Sequence, residues 1–341
     1  MKDHSTDLAR ALTYIESMRN RLVAWRRDIY MHPELSGEEK RTAALVAEHL
    51  RRLGLETQTG IGGHGVVGVL DGGQSGVSVA YRADMDALPI QDSLDRPYRA
   101  LPLGIKHACG HDAHVTIAMG VAEALVKSGC RLPGALKLIF QPAEESLDGA
   151  RAMLRDGVLE SPRPAAMLAI HAFPLPVGTV GLRSGLCLAG MEEFKVRFYA
   201  PAGNLSSVIQ RSKRLLEDLS TAKAPTTTSD FEDVLERMLL DNDLRETVFV
   251  SCWPLNEDRL QAPHLLGLVS MVDFGQRPRV RAQIRNGLDT VVSEMGASYD
   301  LDYTFSNPPL HNDAELITAI LPQLRKVLGT DRVLEFEAPY P

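Results

Sequence analysis

Four cysteines in 341 residues, Cys109, Cys130, Cys187 and Cys252, are too few and too scattered for a disulfide framework. A reducing cytoplasm is the expected compartment. No apolar run is long enough to span a bilayer, and the polar start Met1-Lys-Asp-His-Ser-Thr-Asp7 has no signal-peptide core behind it. Excess positive charge is missing too: 37 Lys and Arg against 44 Asp and Glu leave a net charge of −7, which argues against nucleic acid and membrane surfaces as partners. Repeats and low-complexity tracts are absent. What is there, 44% apolar and 24% charged residues, is the composition of a soluble globular protein, and the length predicts about two domains.

The chemistry concentrates in Lys106-His-Ala-Cys-Gly-His-Asp-Ala-His114. Thiolate and imidazole suit a borderline transition ion, and with one residue between them Cys109 and His111 can reach the same ion pair. Gln141-Pro-Ala-Glu144-Glu145 places adjacent carboxylates after the apolar run Leu136 to Phe140, and His171 follows Ala165 to Ile170 in the same way. Ligand-type residues just beyond strands are where an open α/β sheet presents its chemistry. Each segment alone has a plainer account: a cysteine that fills a core, a solvated helix start, a hydrogen-bonded loop histidine. Their shared position at the ends of apolar strands points instead to a two-metal hydrolytic centre.

In chain order, the spacing of Leu8, Leu12, Ile15, Met18, Leu22, Trp25 and Ile29 predicts one long amphipathic helix ending before Pro33. A second helix is expected behind a capping box of Ser36 and Glu39, with Leu45, Val46, Leu50 and Leu53 as its stripe and Gly54 as its stop. Strands follow at Leu55 to Thr59, Val66 to Leu70 and Val77 to Tyr81. The last leads into Asp84 and Asp86, which fit either groups that orient a histidine ligand or a solvated acidic turn. Asp112 to Lys127 reads as a helix with His111 at its N-terminus and His114 as a capping or supporting group, and Asp148 to Arg155 as a shorter one. This alternation predicts a largely parallel sheet covered on both faces. From Glu193 the pattern changes to a compact α+β insert, with Thr221 to Ser229 a polar loop; His264 in that insert needs no function. A helix from Asn312 to Leu328 and a strand at Val333 to Phe336 close the chain.

Together, Arg82-Ala-Asp-Met-Asp-Ala-Leu-Pro89, His107-Ala-Cys-Gly-His-Asp112, Gln141-Pro-Ala-Glu-Glu145 and His171-Ala-Phe-Pro174 resemble the dinuclear metallo-amidohydrolases that include hippurate hydrolase, indole-acetyl-amino-acid hydrolase and aminobenzoyl-glutamate hydrolase. The resemblance implies an α/β fold: a zinc-peptidase-like mixed sheet flanked by helices, with an inserted smaller α+β domain of the kind that often mediates dimerisation. Residues 1–190 would be the first part of the catalytic domain, 191–306 the insert, and 307–341 a return to the catalytic domain. It matches Cys109, His111, Glu145 and His171 to ligands of two divalent ions (Zn, Mn, Co or Ni), and Glu144 to the general base. Asp84, Asp86, Asp112 and His114 would stand behind the ligands and orient them.

Three departures accompany the resemblance. The family supplies a further histidine ligand near its C-terminus, and this chain stops at Ala338-Pro-Tyr-Pro341, so the expectation is that either the chain given or the site is incomplete. Where the family carries a histidine after the insert's first strand, Phe198-Tyr-Ala-Pro-Ala-Gly-Asn204 has none. The family's Asn-x-Ile-Pro segment is absent near Leu260 to Gly267. The function expected is metal-dependent hydrolysis of N-acyl amino acids or related small amides, with a possible homodimer. The alternatives are a weak or silent relative that keeps a partial metal site, and an aminopeptidase or dipeptidase on the same scaffold.

Overall fold

The structure, a computed structural model, describes residues 5–73, 76–240, 244, 246–255 and 264–341. Residues 260–263, in the stretch where the Asn-x-Ile-Pro segment is missing, lie outside the described residues. The chain forms two compact units, Met1–Phe173 and Pro174–Pro341.

In the first unit, the periodicity expected to make one helix makes two, α1 (Ser5–Ser17) and α2 (Arg19–Met31). They meet at buried Met18, whose N–H reaches both Tyr14 O and Ile15 O, so the turn tightens there. The next helix, α3 (Lys40–Arg52), buries Val46, Ala47 and Leu50. Its expected capping box does not form, because the helix begins at Lys40, too late for Ser36 to cap it. The capping acceptor is Glu34: Oε1 takes Arg41 N at 2.8 Å and Oε2 takes Thr42 N at 2.8 Å. Ser36 and Glu39 turn inward instead.

Strands β1 (Glu56–Ile61), β2 (Gly65–Asp71) and β3 (Val79–Asp84) precede helix α4 (His111–Lys127), strand β4 (Ala135–Gln141), helix α5 (Gly149–Arg155) and strand β5 (Ala166–Ala169). They form a sheet of order β1-β2-β4-β3-β5. It is mixed rather than largely parallel: β1–β2 and β2–β4 are antiparallel, whereas β4–β3 and β3–β5 are parallel. The short β1–β2 connection explains half of this, since a tight hairpin permits only antiparallel pairing. Leu50, Val66, Tyr81, Val115, Met119, Leu138 and Phe140 fill the core between sheet and helices. Parallel pairing sets Asp84 beside Gln141 and Arg82 beside Ala169, so the chain leaves three neighbouring strands on one edge.

The second unit holds β6 (Val180–Leu182), β7 (Gly185–Leu188), β8 (Gly190–Tyr199), α6 (Leu205–Glu217), α7 (Thr228–Leu239), β9 (Val248–Pro254), β10 (Leu265–Met271), α8 (Arg277–Met295), β11 (Ser298–Asn307), β12 (Leu310–Asn312), α9 (Ala314–Leu328) and β13 (Val333–Glu335). Its main sheet, β11-β8-β10-β9, is antiparallel throughout. The alternation along β8 puts Phe194, Val196 and Phe198 into a core shared with Val208, Leu216, Ile284, Leu288 and Val291. Strand β12 pairs with β7 and β13 with β6. His264 is structural: its Nδ1 accepts the N–H of Phe198 at 2.9 Å. Among the described residues no helix is long and apolar enough to cross a membrane.

Candidate metal centre

At the carboxyl ends of β4, β3 and β5 the sequence places Glu144 and Glu145, then Asp84 and Asp86, then His171; α4 adds His111 as its first residue. A helix N-terminus carries partial positive charge, which favours carboxylates beside it. Just before it, Gly110 has φ +88, and a Cβ there would stand 2.8 Å from Ala172 Cβ. Only glycine lets Cys109 and His111 share this approach to the His171 loop.

Among the described residues two overlapping groups of ligand-type atoms result, each within 4.8 Å internally: Cys109, His111 and Glu145; and Asp84, His111, His114 and His171. His111 is common to both and fully buried. Its Nδ1 faces Asp86 Oδ1 at 3.3 Å, while Nε2 looks towards Glu144 Oε2 at 3.7 Å and Glu145 Oε1 at 3.8 Å. Cys109 Sγ is 3.4 Å from His171 Nε2. The other nitrogen of His171, Nδ1, donates to Ala172 O at 2.7 Å, which makes Nε2, the nitrogen facing Cys109, the acceptor.

His114 is differently employed. Its Nδ1 donates to Asp84 Oδ1 at 2.6 Å, and its Nε2 accepts Ala172 N–H at 2.8 Å. Both ring nitrogens are therefore engaged in holding Asp84 and the His171 loop. Asp84 is further held by Arg82 Nη1 at 2.6 Å, and Arg82 Nε donates to Gln141 Oε1 at 2.9 Å. Asp86 Oδ2 accepts Ser36 Oγ at 2.6 Å and Glu145 N at 2.9 Å. Of the residues singled out in the sequence, Asp112 alone turns away, to an ion pair with Arg26 Nε at 2.9 Å. Sequence reasoning missed the roles of Arg82, Gln141, Ser36 and Glu39. For Arg82 a signal was there, since it lies two residues before Asp84 and so on the same face of the strand.

Burial works against ionisation of all four carboxyls, with different outcomes. Asp84 is nonetheless held below the usual carboxylate range by His114, Arg82 and His111, and Asp86 is lowered by His111, Ser36 and backbone N–H groups. Glu144 and Glu145 are pushed up, burial outweighing the attraction of His111. His111 shows what the cavity asks for. Burial disfavours its charged form, but Asp86, Cys109 and Asp84 outweigh that and raise it to about 11. Among the described residues, His111 Nε2 and Glu145 Oε1 are also buried without hydrogen-bond partners. A largely buried, acidic group of imidazole, carboxylate and thiol donors, two of them without partners, fits a divalent cation.

Residues 80–339 match the peptidase family M20/M25/M40. The chain belongs to that family. A "Probable hydrolase" of Synechocystis sp. is 33% identical over 323 residues, 92% of this chain and 79% of that protein. The hippurate hydrolase of Campylobacter jejuni is 38% identical over 183 residues, 53% of this chain and 47% of its own. Among solved structures, a dinuclear metal-binding M20 peptidase of Bacillus subtilis superposes with a TM-score of 0.68 at 25% identity, covering 96% of this chain and 83% of that one. As an M20 chain the protein is a hydrolase of the metallo-amidohydrolase and peptidase type, and its mixed α/β fold is that of the family, as its motifs implied.

Proposed function

We propose that this M20 chain hydrolyses the amide bond of N-acyl amino acids or closely related small amides, with Cys109, His111, Glu145 and His171 as ligands of two divalent ions and Glu144 as general base. The observation that carries the reading is the convergence of thiol, imidazole and carboxylate donors on buried His111 beside a glutamate that no strand or helix requires. When bound, the ions would supply Lewis acidity, polarising the scissile carbonyl and drawing the pKa of a water from near 16 towards about 7.

The chain's own groups do the rest. Glu144 takes a proton from the attacking water on its carboxylate and returns it to the leaving nitrogen as the C–N bond breaks. Its raised pKa brings it closer to neutrality, where a base that must also serve as an acid works best. Asp86 fixes the His111 ring so that Nε2 faces the cavity, and Asp84 with His114 anchors the loop that presents His171. Zinc or manganese suits the mixed donor set, and a free cysteine ligand suits the reducing cytoplasm. The division at 190/191 and 306/307, and a homodimer built through the insert, belong to the same proposal.

The test is metal content together with hydrolysis of hippurate and N-acetyl-L-cysteine by the wild type and by Glu144→Gln. The expected result is metal in both and turnover in the wild type only, with the variant down by about 10²-fold to 10⁴-fold. Metal without turnover in either would favour the silent relative, a reading to which the missing histidine at 198–204 lends support. A wild type that binds no metal sinks the site assignment.

A further inference from the structure

Glu39 is fully buried, and one of its oxygens, Oε2, has no partner among the described residues. It does not cap its own helix, which Glu34 already serves. A buried carboxylate with no helix to cap is costly, so what it does hold is informative. Its Oε1 accepts two backbone N–H groups at 2.8 Å each, Gly37 beside it and Ala143 on the turn after β4, 104 residues away. Ala143 has φ +50, a left-handed conformation that disfavours any residue with a Cβ by about 1–2 kcal/mol. Glu144 and Glu145 follow immediately. The same 36–39 turn grips the acidic pair a second time, because Ser36 Oγ donates to the Asp86 oxygen that accepts Glu145 N.

We infer that Glu39 is a positioning residue: by accepting the Ala143 N–H it locks the left-handed turn from which Glu144 and Glu145 both reach towards His111 Nε2. This rests on the proposed roles of those two glutamates. The bond needs an acceptor oxygen at that reach, and it does not need a negative charge. Gln at position 39 supplies the oxygen without the charge. Asp keeps the charge but is one methylene short.

The test compares Glu39→Gln, Glu39→Asp and Glu39→Ala in the full chain by three readouts: Co²⁺ affinity titrated without substrate, kcat and KM on hippurate, and Tm of the metal-free protein. The expected order is Gln near wild type, within about threefold, with Asp and Ala weakened about 10-fold to 100-fold in both Co²⁺ affinity and kcat, at a KM changed less than about twofold. Asp near wild type with Gln impaired would overturn the proposal in favour of a charge role. It also fails if all three variants match the wild type, or if affinity and kcat fall only in step with Tm across the three. Should the Ala variant not fold, the Gln and Asp pair decides alone. A wild type that binds Co²⁺ but hydrolyses nothing removes the substrate reading and leaves the clamp to be judged by the affinities, whereas one that binds no Co²⁺ removes both.

Discussion

Asp86 spends Oδ2 on Ser36 and the Glu145 N–H and turns Oδ1 to His111 Nδ1, so it acts on the residue that both ligand groups share. Replacing it with Asn keeps the size and removes the charge that orients His111, so Asp86→Asn should weaken metal binding about 10-fold to 100-fold while the fold persists, as read by metal titration and circular dichroism. His107 makes a second prediction. Burial draws its imidazole from the usual value near 6.5 down to about 4, so it stays neutral in the fold and takes up a proton on unfolding between those values. Stability contributed by this site is intact above about pH 6.5 and is lost as the pH falls towards 4. A series of Tm values should decline over that window, and His107→Gln should flatten the decline. That Cys109, His111, Glu145 and His171 would lie near one another was legible in the sequence, because Glu145 and His171 follow apolar strands and His111 opens a helix. Glu39 was not: a Ser-x-x-Glu pattern ahead of a helix reads as a cap, and only the register that brings Ala143 to its carboxylate reveals another use.

Among the elements, those of the first unit emerged from periodicity with ends displaced by a few residues, whereas β11 in the second was not anticipated, and two further departures have identifiable causes. A single apolar stripe from Leu8 to Ile29 cannot disclose that Met18 tightens one turn, because the stripe keeps its phase across the break. Strand direction was equally hidden, since alternation of strands and helices does not say where a short hairpin replaces a crossover. The start of α3 gives the prediction at this scale. Glu34→Ala removes the acceptor of Arg41 N and Thr42 N, along with the bond from Thr42 Oγ1 at 2.9 Å, and should lower stability by about 1–2 kcal/mol in urea unfolding, with little effect on metal affinity. A stability change larger than that would mean Glu34 acts on more than the helix end.

Each of the two units has its own hydrophobic core, and the ligand-type cluster belongs wholly to the first. The chain's two tryptophans divide between them, Trp25 in α2 and Trp253 in β9. Fluorescence of Trp253→Phe and Trp25→Phe variants therefore reports one unit at a time. A metal at about 100 times its Kd should stabilise the unit that binds it by about 2.7 kcal/mol. The denaturation midpoint seen by Trp25 should rise with metal and the one seen by Trp253 should not; equal shifts would show that the units unfold as one.

The donors that gather on His111 span only residues 84 to 171, and the sheet that aligns them is complete by Ala169. During synthesis, which delivers the N-terminal half first, these donors and their sheet have left the ribosome while the second unit is still being made. The nascent chain would thus gather these donors before the second unit is made, and a metal met at that moment, rather than after release, would be the first offered to them.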